Sequence, residues 1–484
     1  MGRIFFLGLL VGCTPKSADT SEDGAGLRAF PDTFMWGAAM AGFQVDAGCP
    51  TLSPEECEDP NSDWYQWVTD PELIANSTNH LSGDPMSKGP GHWELYPEDF
   101  AAAADDLNLN TLRVSIEWSR LFPNDPGEVS TVEELAEHAD MDAVTAYRTY
   151  FDAMRAAGLE PMVTLNHYTL PLWIHDGKEC NADIEGCENR GWADPERMVA
   201  AIGLYSGFCA MTFGDQVDLW ATLNEPFAVV LAGYMFPSAE RTNPPGVVNP
   251  SLAIEVAFAL AEGHGAMYRA VHEYDDVARV GGVPNLVAVK PSDPDNVDDI
   301  RGAEHLDYVY NRAWLNAAIN GDFDRDLDGV VEETRDDMGM DFIGVNYYTR
   351  ITAKGLPINI VPGYDYMDFY PEVTWEEYNP GLGEVARLAH EYGLPVMITE
   401  MGTPEMDGAA ERMLIPALDG LLDAIDDGVE VEGFYFWSLI DNYEWNHGMD
   451  MRFGLYSVDT TTKVRTITDV GLAYGEIAAT NALP

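Results

Sequence analysis

Short runs of consecutive apolar residues alternate along the chain with longer stretches in which apolar positions return every three or four residues. The short runs are rich in β-branched and aromatic residues, as in strands buried on both faces. The longer stretches have the period of amphipathic helices. The runs predict strands over residues 34–39, 111–116, 160–165, 217–223, either 279–283 or 286–289, 341–345, 395–399 and 432–438. Strands separated by helical stretches imply a parallel sheet with helical crossovers, the α/β class.

The residues at the far end of each run are more informative than the count. Gln44 lies a few residues beyond the first, and Glu117-Trp118, His167, Asn224-Glu225, Asn346-Tyr347-Tyr348, Glu400 and Trp437 sit at or just after the ends of six others. An open doubly wound sheet gathers such residues at one switch point. Their spread over nearly every strand predicts a single (β/α)₈ TIM barrel with its active site at the C-terminal ends of the strands.

The first residues stand apart from this pattern. Arg3 precedes an apolar run over residues 4–12, too short to span a bilayer, which ends in Leu10-Val11-Gly12-Cys13 and resembles a bacterial lipobox. The expected organisation is a lipoprotein-type signal peptide over 1–12, lipidation at Cys13, a flexible tether over 13–26 and the barrel over 27–484. An ordinary signal peptide or a mis-called start is the competing reading. Either signal would imply an exported bacterial protein, in the cell envelope, periplasm or medium. No later segment is long and apolar enough to span a membrane, so contact with one would come only through the lipid anchor.

Composition narrows the partners. Asp and Glu number 82 against 26 Lys and Arg, a formal net charge of −56, and such a polyanion repels phosphate backbones; nucleic acid is excluded as a partner. The acidic, Lys-poor surface fits either a protein of salty water or a merely well-solvated one. Beyond Cys13, the pairs Cys49/Cys57 and Cys180/Cys187 each enclose a short polar loop and are expected to form disulfides in an oxidising compartment. Cys209 lies in an apolar helical stretch and reads as a buried thiol. No His sits at zinc-ligand spacing, and no metal or cofactor is expected.

Two carboxylates carry candidate chemistry. Glu225 in Thr222-Leu223-Asn224-Glu225-Pro226 and Glu400 in Ile398-Thr399-Glu400-Met401-Gly402 each end a buried strand, a costly place for an unpaired charge. Strand order places them across the barrel mouth, on the fourth and seventh strands. Glycoside hydrolysis with retention needs two carboxyls about 5–5.5 Å apart around one bond. Mutual repulsion raises one pKa, so that one group is the acid while the other attacks. Either Glu alone would equally suit a strand cap or an Arg partner; the two together favour the catalytic reading.

With these motifs in view, the chain resembles the glycoside hydrolase family 1 β-glycosidases, most of all the archaeal type. The likeness runs from about residue 30 to about residue 459, through Ala41-Gly42-Phe43-Gln44, Ser62-Asp63-Trp64-Tyr65-Gln66-Trp67-Val68 and Arg113-Val114-Ser115-Ile116-Glu117-Trp118-Ser119-Arg120. It continues through Thr222 to Pro226, Asp341 to Thr349, and Gly433 to Trp445. The resemblance implies a retaining exo-β-glycosidase of β-glucosidase or β-galactosidase type acting on a small β-glycoside. Glu225 would be the acid/base and Glu400 the nucleophile. Arg113 and Tyr348 would hydrogen-bond Glu400 and hold it ionised, with Asn346 in support. Asn224 would bind the sugar 2-hydroxyl, while Gln44, His167, Trp437, Glu444 and Trp445 would line the sugar pocket. Arg113 would also suit a plain core ion pair, His167 a satisfied core position, and the two Trp simple packing.

The chain departs from the family in places. Met401 replaces the usual Asn after the nucleophile, and Tyr168 stands where Phe or Trp is commoner. The basic segment near the C-terminus is reduced to Lys463-Val464-Arg465. Glu444-Trp445 argues against phosphorylated sugars, whose branch of the family has Ser there. Asp324-Arg325-Asp326-Leu327-Asp328-Gly329 opens like an EF-hand loop, but Arg335 occupies the position of the final Glu, so a solvated acidic loop is expected. Transglycosylation is the rival activity, and a sugar-binding protein without catalysis the rival class; self-association is left open.

Overall fold

The computed structural model describes residues 28–356, 369–373, 376–404 and 408–484. The leader, the tether and Cys13 lie outside the described residues. Eight parallel strands close into a barrel: β1 (Met35–Ala39), β2 (Thr111–Ser115), β3 (Glu160–Asn166), β4 (Leu219–Asn224), β5 (Arg279–Val283), β6 (Phe342–Tyr347), β7 (Val396–Met401) and β8 (Val431–Trp437). Each pairs with its sequence neighbours, and β1 closes on β8 with Met35 opposite Gly433 and Ala39 opposite Trp437. The ambiguity over the fifth strand resolves to residues 279–283. The rival segment instead contributes Ala288–Pro291 to a side sheet with Arg350–Gly355 and Phe369–Val373.

The strands are apolar throughout because both faces are covered. Their outer faces pack on helices such as Met141–Ala156, Pro195–Phe213 and Pro250–Tyr274. Those helices begin where side chains satisfy their free N–H groups. Asp140 accepts from the amides of Asp142 and Ala143; Asp194 and Asn249 do the same ahead of Pro195 and Pro250. Among the described residues, no helix is long and apolar enough to cross a membrane.

The inside of the barrel holds a second, smaller core of Met162, Leu219, Phe342, Met397 and Tyr435. Two glycines make room for its rings. A Cβ on Gly37 would lie 2.5 Å from the Tyr435 ring, and one on Gly281 2.5 Å from that of Phe342. Small residues opposite large ones fill the interior, so this end of the barrel is a packed floor rather than a channel. The site lies above it.

Candidate active site

β4 delivers Asn224 and then turns abruptly. Glu225 has φ 44°, a left-handed conformation disfavoured for a residue with a Cβ, and Pro226 starts the helix Pro226–Val230 directly after it. The Glu225 amide donates to the Val283 carbonyl at 2.7 Å, fixing the turn to the end of β5. Its carboxylate accepts from three donors: the Tyr168 hydroxyl at Oε2, and Asn285 Nδ2 (3.1 Å) and Asn346 Nδ2 (3.0 Å) at Oε1.

β7 delivers Glu400, which is 2% exposed. Arg113 Nη1, from β2, donates to Oε1 at 2.5 Å, and the Tyr348 hydroxyl donates to Oε2 at 2.5 Å. Burial is the strongest influence on this carboxyl and pushes it up to about 7; Arg113 pulls it down, the charge of Glu225 pushes it up, and the Tyr348 hydrogen bond lowers it. The raised carboxyl is thus the expected nucleophile rather than the expected acid, and Arg113 and Tyr348 oppose burial without outweighing it. Burial likewise lifts the Tyr348 hydroxyl well above its usual range, so it remains a donor.

Asn224 links the two carboxylates. Its Oδ1 accepts from Arg113 Nη2 (2.7 Å) and Asn346 Nδ2 (3.0 Å). Asn346 is itself oriented by Thr399, whose hydroxyl donates to its Oδ1 at 2.8 Å. With its oxygen so occupied, Asn224 must donate through Nδ2, and it lies 3.1 Å from His167 Nε2. Burial, with Arg113 and Arg241 nearby, lowers the His167 pKa well below its usual value, so the ring is neutral. Nε2 therefore accepts and the proton sits on Nδ1, a buried donor without a partner.

The rest of the pocket comes from the segment after β8. Glu444 Oε2 accepts from Gln44 Nε2 (3.0 Å) and Asn442 Nδ2 (2.7 Å), and Oε1 from Arg241 Nη1 (3.2 Å). Gln44 Nε2 also donates to the Tyr443 carbonyl, which leaves Gln44 Oε1 buried and without a partner. Trp445, at φ 46°, stacks on Phe43 and His167, and Trp437 stacks on the same imidazole, with ring centroids 5.8–5.9 Å apart. Every residue assigned to the site from sequence thus joins one contact network. An unpaired acceptor on Gln44 and an unpaired donor on His167 suit hydroxyl groups, which both donate and accept.

Three participants carry no clear signal in the sequence. Asn285 falls between the two segments that competed for the fifth strand, and an isolated bridge to Asn346 places it beyond the end of β5. Thr399 is hidden inside an apolar strand. Arg241 arrives on a loop with no periodic signal. Glu117, though it comes just after β2, has its carboxylate engaged elsewhere: it accepts from the Phe43 amide, Ser115 and Thr169. Met401 is buried in the layer between strands and helices.

Outside the site, disulfides link Cys49 to Cys57 and Cys180 to Cys187, and Cys209 is a buried thiol. Ligand atoms of Asp324, Asp326, Asp328 and Glu332 lie within 4.8 Å of one another, so the acidic loop gathers a fourth carboxylate ahead of the position that Arg335 occupies. Asp324 already accepts from Tyr308 and the Gly329 amide.

The sequence profile of glycosyl hydrolase family 1 matches residues 27–483. The chain is 34% identical to a β-galactosidase of Pyrococcus woesei, over 94% of its own length and 98% of the relative's. It is 26% identical to β-glucosidase A of Thermotoga maritima, over 94% and 99% of the two lengths. Its structure is similar to the crystal structure of the β-glycosidase from Thermosphaera aggregans, with a TM-score of 0.82 at 28% identity, over 94% of this chain and 97% of that one.

Proposed function

The chain belongs to glycosyl hydrolase family 1, and from that premise we propose that it is a retaining exo-β-glycosidase releasing terminal β-linked glucose, galactose or a related sugar. The observation that carries this reading is the linkage of Glu225 and Glu400 through Asn224, Asn346 and Arg113 at one end of the barrel.

In the first step an ionised Glu400 oxygen attacks the anomeric carbon. The bond to the glycosidic oxygen breaks, Glu225 gives that oxygen its proton, and the aglycone leaves as an alcohol. In the second step Glu225, now a carboxylate, takes a proton from water. The water oxygen bonds to the anomeric carbon, the ester to Glu400 breaks, and the sugar leaves with its original β configuration. Asn224 Nδ2 would donate to the sugar 2-hydroxyl, and His167 Nδ1, Gln44 Oε1 and Glu444 would meet the outer hydroxyls. The two disulfides fit an oxidising compartment and support export as part of the same proposal.

Two variants test the mechanism with aryl β-glycosides. Glu400→Ala is expected to lose nearly all activity and to be partly rescued by azide, giving an α-glycosyl azide. Glu225→Ala is expected to keep activity chiefly on good leaving groups, losing about 10²–10⁴-fold on poor ones, and to give a β-glycosyl azide. Ordinary rates in both variants would overturn the assignment.

A further inference from the structure

The two oxygens of Glu225 have different neighbours. Oε1 faces two amide N–H donors, from Asn285 and Asn346, and neither nitrogen can accept a proton in return. Oε2 faces the Tyr168 hydroxyl, which donates to a carboxylate and can equally accept from a carboxylic acid. A proton on Glu225 therefore belongs on Oε2.

Resting on the acid/base reading of Glu225, we propose that Tyr168 is a positioning residue that assigns the transferable proton to Glu225 Oε2 and steadies the carboxylate between the two steps. It changes from donor to acceptor as Glu225 passes from base to acid, while the two amides hold Oε1 in place. No phenol is available to do this where the family has Phe or Trp.

The surroundings of Tyr168 are built to hold it. The residue is 5% exposed and has φ 71°, a left-handed backbone that aims the ring back across the site. The Arg241 guanidinium lies 5.2 Å from its ring centroid and 5.0 Å from that of Trp445, while also donating to Glu444. A cation over a phenol ring strengthens its O–H as a donor. Burial and the charge of Glu225 keep the hydroxyl protonated well above the usual tyrosine range. The other ionisable or charged groups facing this pair are Glu400, Arg113, Tyr348, His167 and Tyr310. Tyr168→Phe changes none of these and keeps the ring under Arg241.

The test compares the parent, Tyr168→Phe, Arg241→Met and Glu225→Gln across pH on an activated aryl β-glycoside and on one with a poor leaving group. The limb missing from the Glu225→Gln profile identifies the titration of Glu225. In Tyr168→Phe that limb is expected to move up, because the ionised form loses a donor. In the same variant kcat and KM are expected to fall together, about tenfold, since the second step needs the base; kcat/KM stays within about twofold. Arg241→Met should move the same limb in the same direction by less. An unmoved limb and an unchanged kcat in Tyr168→Phe would overturn the proposal. Full activity of Glu225→Gln on poor leaving groups would instead remove the acid/base reading beneath it.

Discussion

Replacing Arg113 with Met removes the cation 2.5 Å from Glu400 and leaves an apolar chain of similar length. Both partners are buried, at 1% and 2% exposure, so solvent screens their interaction little. With Arg113 present the Glu400 carboxyl is raised to about 7, so at neutral pH about half would be in the ionised form that the proposed attack requires. An opposite charge this close lowers a carboxyl by about 1–3 units. Taking two units as the middle of that range, the variant would ionise near pH 9 and keep about 1% of the ionised form at pH 7, a loss of about fiftyfold or about 2.3 kcal/mol. The assay is kcat/KM for an aryl β-glucoside across pH, with near-UV circular dichroism to confirm the fold. The acid limb should move up by about two units, and the deficit against the parent should narrow as pH rises. Arg113→Lys, which keeps the charge but not the fork to Asn224, should recover part of the shift. A uniform loss at every pH with the limb unmoved would refute the electrostatic reasoning.

Two further perturbations probe the fold around the site. Asp46 is buried, and burial pushes its carboxyl up to about 8 against the pull of Arg120. A carboxyl raised on folding gives stability that is full below its unfolded pKa of 3.8 and lost as pH rises through 8. Asp46→Asn should therefore flatten the fall in thermal midpoint between about pH 5 and pH 8, and an unchanged slope would count against it. Gly37→Ala would force a Cβ within 2.5 Å of the Tyr435 ring in the barrel floor, and chemical denaturation should show a loss of about 1–3 kcal/mol.

The barrel was legible in the sequence because both faces of its strands are covered, which makes each strand a continuous apolar run. The two carboxylates of the proposed mechanism were legible for the same reason: Glu225 and Glu400 are conspicuous where such runs end. Position alone did not separate chemistry from structure, since Glu117 also comes after a strand yet serves to hold the Phe43 and Thr169 segments. Asn285 escaped because two apolar runs flank it and only strand pairing shows which one enters the barrel. Arg241 escaped because its contacts with Glu444, Tyr168 and Trp445 join segments far apart in the chain, and no spacing rule reports that. EF-hand spacing asks for a Glu at the place of Arg335, whereas the folded loop brings in Glu332.

The plugged lower end of the barrel has a kinetic corollary. With Met162, Leu219, Phe342, Met397 and Tyr435 packed across that end, the substrate of the proposed reaction would arrive and depart on the side where Glu225 and Glu400 stand. In the proposed mechanism the departing alcohol and the incoming water would then share that side and take turns in it. A large or sticky aglycone would hold up the second half of the cycle by standing in the way, even after its own bond had been cut.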